Sequence, residues 1–353
     1  MKTIVYKTNE VEDELWIKAA GEILAAGGLV GIPTETVYGL AANALDEEAA
    51  AKIYTAKGRP SDNPLIVHIA RLSQMEELAS EVPETALKLA KAFWPGPLTM
   101  ILPKKEIVPH GTTGGLETVA IRMPSHPVAR KLLQESGLML AAPSANTSGR
   151  PSPTRAEHVY EDLNGKIDMI LDDGPVGIGI ESTVVDLSGE IPMILRPGYI
   201  TREMMEVVIG EVLVDPAILE ENKDKNFRPK APGMKYKHYA PKGDLTIIAG
   251  TSEKVVEKIR ELALEKMKEG YKVGIIATEE TKPLYAPEER LVVMSIGTRK
   301  DENTITHNLY DILRRMDGAE VSYIYSESFG EGSRGQAIMN RLLKAAGHHQ
   351  IFV

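Results

Sequence analysis

The segment that decides the fold is an amphipathic helix pattern that stops at two glycines and leads directly into a short apolar strand. It covers residues 11–33 and reads V-E-D-E-L-W-I-K-A-A-G-E-I-L-A-A-G-G-L-V-G-I-P. Apolar residues return every three or four positions, and Gly27 with Gly28 is a common C-terminal signal of a helix. A helix followed at once by a buried strand is typical of α/β proteins.

Short strands and helical segments alternate along the first two-thirds of the chain, and residues 182–187 and 192–195 read as a hairpin. The connections are too varied for a simple doubly wound fold, so we predict a twisted mixed sheet with flanking helices for residues 1–214. Residues 244–353 predict a smaller, Rossmann-like three-layer α/β domain. One of its several predicted strands covers residues 321–325. No G-x-G-x-x-G follows its first strand, so a dinucleotide site has little support.

Residues 215–243 have the composition of a linker, because they are polar, lysine-rich and interrupted by prolines. A plain tether is one interpretation. However, residues 232–241 read P-G-M-K-Y-K-H-Y-A-P, and a flexible tether needs no such aromatic and ionisable side chains. We therefore predict that this segment is ordered and makes contacts.

Composition excludes several classes of protein. The length of 353 residues predicts two domains at about 150 residues each. The net charge of -9 argues against a protein that coats nucleic acid by neutralising phosphates. Cysteine is absent, which excludes disulfides, thiolate nucleophiles and cysteine-based zinc sites. No P-loop, H-E-x-x-H or G-x-S-x-G motif occurs, and no apolar stretch approaches the ~20 residues of a membrane helix, so we expect a cytoplasmic protein without membrane contact.

Several polar residues follow apolar strands directly. The first group lies in P-T-E-T-V-Y-G-L at residues 33–40, where two threonines and a glutamate offer donors and acceptors for a small polar ligand. A helix N-cap by Thr34 or Thr36 is an equally good interpretation of this motif alone.

Cations form the second group. Lys57 and Arg59 flank a glycine on a turn and suit a polyphosphate, although a solvated basic turn is the commoner role of such a pair. Arg122 lies in an apolar strand, so it needs either a substrate anion or an internal carboxylate. His68 also lies in an apolar strand, where a satisfied core histidine is the alternative. Residues 143–152 add a loop rich in hydroxyl and amide groups, which ordinary turn chemistry would also explain.

Together these residues place cations and hydroxyls at the strand ends of one domain. The cations are Lys57, Arg59, Arg122 and Arg196, and the hydroxyls are those of Thr34, Thr36, Ser144 and Ser182. Such a set suits a site that holds a nucleoside triphosphate beside a small zwitterion.

The order of the motifs resembles that of the YrdC-type threonylcarbamoyl-adenylate synthases in their long, two-domain form. The motifs are P-T-E-T-V-Y-G-L at 33–40, K-x-R at 57–59, N-P-L-I-V-H at 63–68, W-P-G-P-L-T at 94–99, A-I-R-M-P at 120–124, P-S-A-N at 143–146, E-S-T-V-V-D at 181–186 and L-R-P-G at 195–198. The resemblance spans nearly the whole chain. It implies a YrdC-like catalytic domain at 1–214, a lid at 215–243 and a Rossmann-like domain at 244–353.

The resemblance also implies a reaction. L-Threonine, bicarbonate and ATP would give L-threonylcarbamoyl-AMP and pyrophosphate, with Mg²⁺ held mainly by the phosphates and water. The product would serve the threonylcarbamoyl-adenosine modification at position 37 of tRNAs that read codons beginning with A. A separate transferase would be the downstream partner.

Site residues follow from the matching motif positions. The residues implied for ATP are Lys57, Arg59, Asn63, Thr118, Ser144, Asn146, Ser152, Arg196 and Tyr236, of which Lys57 and Arg59 would be catalytic. The residues implied for threonine are Thr34 or Thr36, His68, Arg122, Ala142 and Ser182, with Arg122 pairing the substrate carboxylate. No metal ligand can be assigned.

Two other functions remain open at this point. A double-stranded RNA-binding or translation-associated module of the same fold would need RNA contact, which the net charge disfavours without excluding it. A carbamoyl-adenylate-forming carbamoyltransferase also uses this fold, but such proteins carry a cysteine-rich zinc region that this chain lacks.

Overall fold

The computed structural model describes residues 2–8, 15–218, 229–231, 238–330, 332 and 334–353. The chain divides into two compact units. Unit 1 comprises Met1–Ser148 and Ser152–Lys235, and unit 2 comprises Gly149–Pro151 and Tyr236–Val353. The boundaries inferred from the sequence, at residues 214 and 243, stay predictions.

Unit 1 alternates helices and strands, as its sequence pattern predicts. Its strands are β1 Ile4–Lys7, β2 Val30–Ile32, β3 Gly39–Asn43, β4 Ile66–His68, β5 Leu98–Pro103, β6 Thr118–Arg122, β7 Leu140–Ala141, β8 Met169–Asp172, β9 Thr183–Asp186, β10 Met193–Arg196 and β11 Leu213–Val214. Its helices are α1 Leu15–Ala25, α2 Glu47–Lys57, α3 Ser73–Leu78, α4 Glu84–Phe93, α5 His110–Thr113, α6 Pro127–Ser136, α7 Ala156–Leu163 and α8 Arg202–Ile209. A short 3₁₀ turn covers Pro216–Ile218.

These strands form one mixed sheet in the order β1-β8-β2-β3-β7-β4-β6-β5-β9-β10-β11. β4 and β6 run parallel, whereas β7 is antiparallel to β4 and β5 is antiparallel to β6. β9 and β10 form the antiparallel hairpin that the sequence predicts. The mixed α/β class is therefore confirmed.

The two faces of the central strands differ in character. Val67, Val119 and Ile121 point into the larger apolar core, which also contains residues of α2, α4 and α7. The alternating positions point to the opposite face, where Ile66 and Ala120 join a small apolar cluster. His68, Arg122 and Thr118 share that second face by the same alternation. It is called the site face below.

Unit 2 is built on a five-stranded parallel sheet. Its elements are β12 Asp244–Ala249, α9 Ser252–Lys268, β13 Val273–Ala277, β14 Leu291–Ser295, α10 Glu302–Gly318, β15 Tyr323–Glu327, α11 Gly335–Ala345 and β16 Gln350–Phe352, with a 3₁₀ turn at Lys282–Leu284. The strand order is β14-β13-β15-β12-β16. Val273 and Ile275 pack with the apolar stripe of α9, whereas Gly274 between them lies against Met316 of α10. Helices thus cover both faces, which confirms the three-layer prediction.

One strand boundary differs from the sequence prediction for an identifiable reason. The strand predicted at 321–325 is found at Tyr323–Glu327. The strand ends at Glu327, whose carboxylate is buried and pairs with Arg299 at 2.8 Å. Because a prediction from hydropathy places charged residues outside a buried strand, it ends this strand too early. Helix α1 is described from Leu15 onward, and residues 11–14 of the quoted segment lie outside the described residues. Within the described parts of the chain, no helix is long and apolar enough to cross a membrane.

Candidate substrate site

Arg122 ends β6 on the site face and is 4 % exposed. Its Nη1 donates to the hydroxyl of Thr36 at 3.0 Å. Its Nη2 lies 2.7 Å from Oε1 of Glu35, so the internal carboxylate considered for this arginine is present. This approach lacks the alignment of a hydrogen bond, and among the described residues Nε and Nη2 have no hydrogen-bond acceptor. Nε and Nη2 form the side-on fork of the guanidinium, which matches a carboxylate with two parallel bonds.

The turn between β2 and β3 places both threonines beside this guanidinium. The hydroxyl of Thr34 donates to Val37 O at 2.6 Å and accepts the N–H groups of Thr36 and Val37 at 3.2 and 3.3 Å. Its oxygen lies 2.9 Å from that of Thr36. Thr34 therefore shapes the turn, and Thr36 presents its hydroxyl to Arg122. No helix begins at this turn, so the helix N-cap interpretation is wrong.

His68 lies beside Arg122, because the two residues are partners in the parallel β4–β6 ladder. Its Nδ1 is 3.1 Å from Ile66 O, which favours the tautomer with the proton on Nδ1. Burial, together with the neighbouring Arg122 guanidinium, lowers the pKa of His68 to about 3. His68 is thus a neutral side chain in a cationic neighbourhood, and it is also a satisfied core residue as the alternative interpretation had it.

The lowered pKa of His68 predicts a loss of stability in mild acid. The unfolded chain takes up a proton near pH 6.5 and the folded chain does not, so stability falls as pH drops from about 6.5 toward 3. Between pH 7 and pH 5 this one group should cost about 2 kcal/mol. Urea unfolding at both pH values should show that loss in the wild type and not in His68→Gln, and equal losses in both proteins would contradict it.

Ser182 connects Arg196 to the strand beside Arg122. The guanidinium of Arg196 donates to Ser182 O from Nε at 3.1 Å and from Nη2 at 2.9 Å. The hydroxyl of Ser182 lies 2.7 Å from that of Thr99, which is the ladder partner of Arg122. The groups at Arg122 and at Ser182, both implied for threonine, therefore belong to one continuous polar patch.

A second cluster forms where α2 meets the loop after β7. Lys57 ends α2, is 1 % exposed, and donates from Nζ to Ser144 O and to Asn146 O, the latter at 2.5 Å. The hydroxyl of Ser144 donates to Oδ1 of Asn146 at 2.6 Å. The lysine of the K-x-R motif thus contacts the P-S-A-N loop, although the two motifs are far apart in the chain. Ser144 also pairs with Gly39 at the start of β3.

Arg59, Asn63 and Thr118 lie at the other end of the same strands. Arg59 donates to Asn63 O at 3.3 Å and to Pro64 O at 3.0 Å. Oδ1 of Asn63 is buried and has no hydrogen-bond donor within the described chain. Thr118 begins β6 two positions before Ala120, the ladder partner of Ile66, and so lies next to this turn. Thr118 and Arg122 are separated by about 13 Å along one face of β6.

Of the remaining predicted residues, the structure describes Ser152 and Ala142 but not Tyr236. Ser152 is buried and donates to Oε1 of Glu181 at 2.5 Å. Ala142 lies against Gly39, where an added Cβ would be 3.2 Å from the Ala142 methyl group. Tyr236, which the resemblance implies for ATP, falls outside the described residues and stays a prediction.

Two polar residues that complete the patch, Thr99 and Glu181, are absent from the predicted set, and Glu35 is considered there only as a general acceptor and not as the partner of Arg122. Each lies inside a motif that the sequence singles out, directly beside a predicted residue or opposite one in the sheet. The missing signal is the pairing of strands, because Thr99 meets Arg122 only through the β5–β6 register.

Part of the linker covers the apolar floor of the site face. Ala231 is fully buried in the cluster with Ile66, Ile101, Ala120, Val184 and Leu195. Its neighbour Lys230 places Nζ 3.3 Å from Oδ2 of Asp186, a carboxylate that is nearly buried. Residues 229–231 are thus in contact with the face. Of the lid predicted at 215–243, residues 219–228 and 232–237 are outside the described residues, and the lid stays a prediction.

The fold and the site together define a class of α/β protein that presents arginine and lysine groups, with neighbouring hydroxyls, on one face of a mixed sheet. A family model described as Telomere recombination, for the Sua5, YciO and YrdC proteins, matches residues 22–198. A second model, described as Threonylcarbamoyl-AMP synthase, C-terminal domain, matches residues 200–347. The chain belongs to the Sua5–YciO–YrdC family, which confirms the resemblance.

Relatives of similar length support the same assignment. A Pyrococcus abyssi protein named Threonylcarbamoyl-AMP synthase is 49 % identical over 351 residues, which is 99 % of this chain and 100 % of the relative. A Bacillus subtilis protein of the same name is 51 % identical over 344 residues, 96 % of each chain. The crystal structure of P. abyssi Sua5 complexed with L-threonine superposes with a TM-score of 0.92 at 47 % identity and covers 100 % of both chains.

Proposed function

We propose that this chain is an L-threonylcarbamoyl-AMP synthase, a nucleotidyltransferase that converts L-threonine, bicarbonate and ATP into L-threonylcarbamoyl-AMP and pyrophosphate. The observation that carries the proposal is the side-on fork of Arg122, a buried pair of donors that makes no aligned hydrogen bond within the described chain and meets only the ion-pair approach of Glu35 at Nη2. A carboxylate is the group that such a fork binds best. Full-length relatives with the corresponding name support it.

Threonine binds at the Arg122 end of the site face in this proposal. The guanidinium binds the α-carboxylate of threonine. The buried hydroxyl of Thr36 contacts this guanidinium, and that of Ser182 contacts the neighbouring Thr99, so both can hydrogen-bond the amine and hydroxyl groups of the substrate. His68 stays neutral there, so it adds a hydrogen-bonding group without a competing charge. Thr34 holds the turn, and Ala142 keeps the backbone of β3 and the loop after β7 close.

ATP binds along the rest of the same face. Lys57 supplies positive charge beside the P-S-A-N loop and Arg59 supplies it at the turn of Asn63 and Pro64, which suits a chain of phosphates. The distance of about 13 Å from Thr118 to Arg122 leaves room for a phosphate chain and a carbamate between the two ends. The other groups proposed for ATP are Asn63, Thr118, Ser144, Asn146, Ser152, Arg196 and Tyr236.

The chemistry needs positioning more than proton transfer. The threonine amine and bicarbonate form a carbamate with loss of water, and a carbamate oxygen then attacks the α-phosphorus while pyrophosphate leaves. Because this nucleophile is already an anion, the chain needs no strong general base. Its task is to bring anions together and to stabilise charge on the phosphates, which fixed cations do well.

Mg²⁺ enters this proposal together with ATP. Within the described residues, no group of three or more His, Asp or Glu side chains could hold a metal ion. The phosphates and water would supply its ligands, as the chemistry of Mg²⁺ allows. A tRNA threonylcarbamoyl transferase is the partner proposed to consume the labile product, in the cytoplasm.

The first experiment measures pyrophosphate release from Mg·ATP with threonine and bicarbonate left out in turn. The proposal expects release only when both are present. Release that does not depend on threonine would favour a carbamoyl-adenylate-forming carbamoyltransferase instead. No release from folded protein, together with salt-dependent RNA binding, would favour the RNA-binding module.

A further inference from the structure

We propose that Glu35 is the resident counter-ion of Arg122, and that the substrate carboxylate binds by displacing it. The inference rests on the proposed function, since it takes threonine as the ligand of Arg122. It assigns Glu35 a role in setting the affinity for the amino acid, as a competitor rather than as a ligand.

The geometry shows a pair held by charge alone. Oε1 of Glu35 lies 2.7 Å from Nη2 of Arg122, yet neither atom makes an aligned hydrogen bond to any residue that the structure describes. Nη1 is held by Thr36 instead. The carboxylate therefore neutralises Arg122 and lies against one donor of the side-on fork, without the two parallel bonds that an incoming carboxylate would form.

Glu35 also has a second anchor that does not involve Arg122. Its Oε2 accepts the N–H of Ser125 at 3.2 Å, and its backbone carbonyl accepts the N–H of Ile178 at 2.8 Å. The side chain is 12 % exposed, compared with 5 % for that of Arg122. Glu35 can therefore leave the guanidinium while its backbone and one carboxylate oxygen keep their partners.

The exchange has a defined energetic consequence. Without a substrate, Glu35 spares the protein an uncompensated buried cation. With a substrate, its negative charge faces a second carboxylate at the same guanidinium. Removing the charge should therefore destabilise the ligand-free protein and strengthen the binding of threonine.

The test is calorimetric titration of the full chain with L-threonine, without ATP, comparing wild type with Glu35→Gln. We expect Kd to fall about fivefold or more in the variant. The ligand-free variant should also melt at a lower temperature, with a larger upward shift on adding threonine. L-Threoninamide, which has no carboxylate, should gain nothing from the substitution. Glu84→Gln removes a carboxylate from an exposed pair with Lys88 at 2.9 Å and should change neither value.

Each outcome has a distinct meaning. Weaker or unchanged threonine binding by folded Glu35→Gln would overturn the inference, because Glu35 would then be a ligand or irrelevant. A wild type that binds no threonine would overturn the proposed function instead. If Glu35→Gln does not fold, Glu35→Asp retains the charge but withdraws it from Arg122, and an unaltered or increased Kd in that variant would overturn the inference equally.

Discussion

Arg122→Met should reduce threonine-dependent pyrophosphate release more than any other single substitution at the site. Methionine keeps the length of the side chain but removes the charge and the side-on fork. Truncating one partner of a buried, hydrogen-bonded charge pair costs about 2–5 kcal/mol, so we expect kcat/KM for threonine to fall by about 10³-fold. KM for ATP should change only a few-fold, since the site proposed for the nucleotide lies toward the other end of β6.

Two further variants separate binding from folding. Arg122→Met leaves Glu35 buried without its cation, so the double variant Arg122→Met/Glu35→Gln should recover stability without recovering activity. Arg202→Met removes an arginine from a 2.7 Å pair with Glu206 that is largely exposed, and should change activity less than about twofold. A normal KM for threonine in folded Arg122→Met would remove this residue from the site.

Lys57→Met should give the second largest loss, expressed through ATP. The ammonium lies at the centre of the cluster formed with the Ser144 and Asn146 carbonyls, and no other lysine amine in the described chain is as deeply buried. Loss of one preorganised cationic donor typically lowers kcat by about 10²–10³-fold. We expect a loss of that size in kcat/KM for ATP, measured by pyrophosphate release at saturating threonine.

Lys52→Met is the matched control for this variant. Lys52 lies on the same helix, and its Nζ also donates to a backbone carbonyl, that of Gly27 at 2.7 Å. It is remote from the P-S-A-N loop, so activity should stay within about twofold of wild type. Threonine affinity, titrated without ATP, should be normal in Lys57→Met, and a parallel loss of threonine binding would point to collapse of the loop rather than to the nucleotide site.

The sequence predicts local elements of this fold better than their neighbours in the sheet. Helix α2 is an example, because Asp46 accepts the N–H groups of Glu48 and Ala49 and Gly58 ends the helix with φ near 61°. The local pattern does not predict β3, since Gly39–Asn43 is short and follows a polar turn without any alternation to mark it. Its identity as a strand depends on pairing with β2 and β7, which lie elsewhere in the chain.

For the site, too, the sequence predicts single residues better than the contacts between them. The residue types at Lys57, Arg122 and Ser144 are visible in the sequence, because charge in an apolar run or a cluster of hydroxyls after a strand calls for a partner. Which partner each one has is a property of the sheet. Glu35 could not be assigned to Arg122 from the sequence, since a long stretch of chain and a crossing of several strands separate the two positions.

The burial of Ala231 has a practical consequence for anyone who expresses the first unit by itself. A fragment that stops at residue 218 would uncover an apolar surface around Ile66, Val184 and Leu195, and it would gain a tendency to self-associate during purification. Extending the fragment through residue 231 keeps Ala231 packed on this apolar surface and retains the ion pair of Lys230 with Asp186. Poor behaviour of the shorter piece would then reflect where it was cut, rather than any dependence of folding on the second unit.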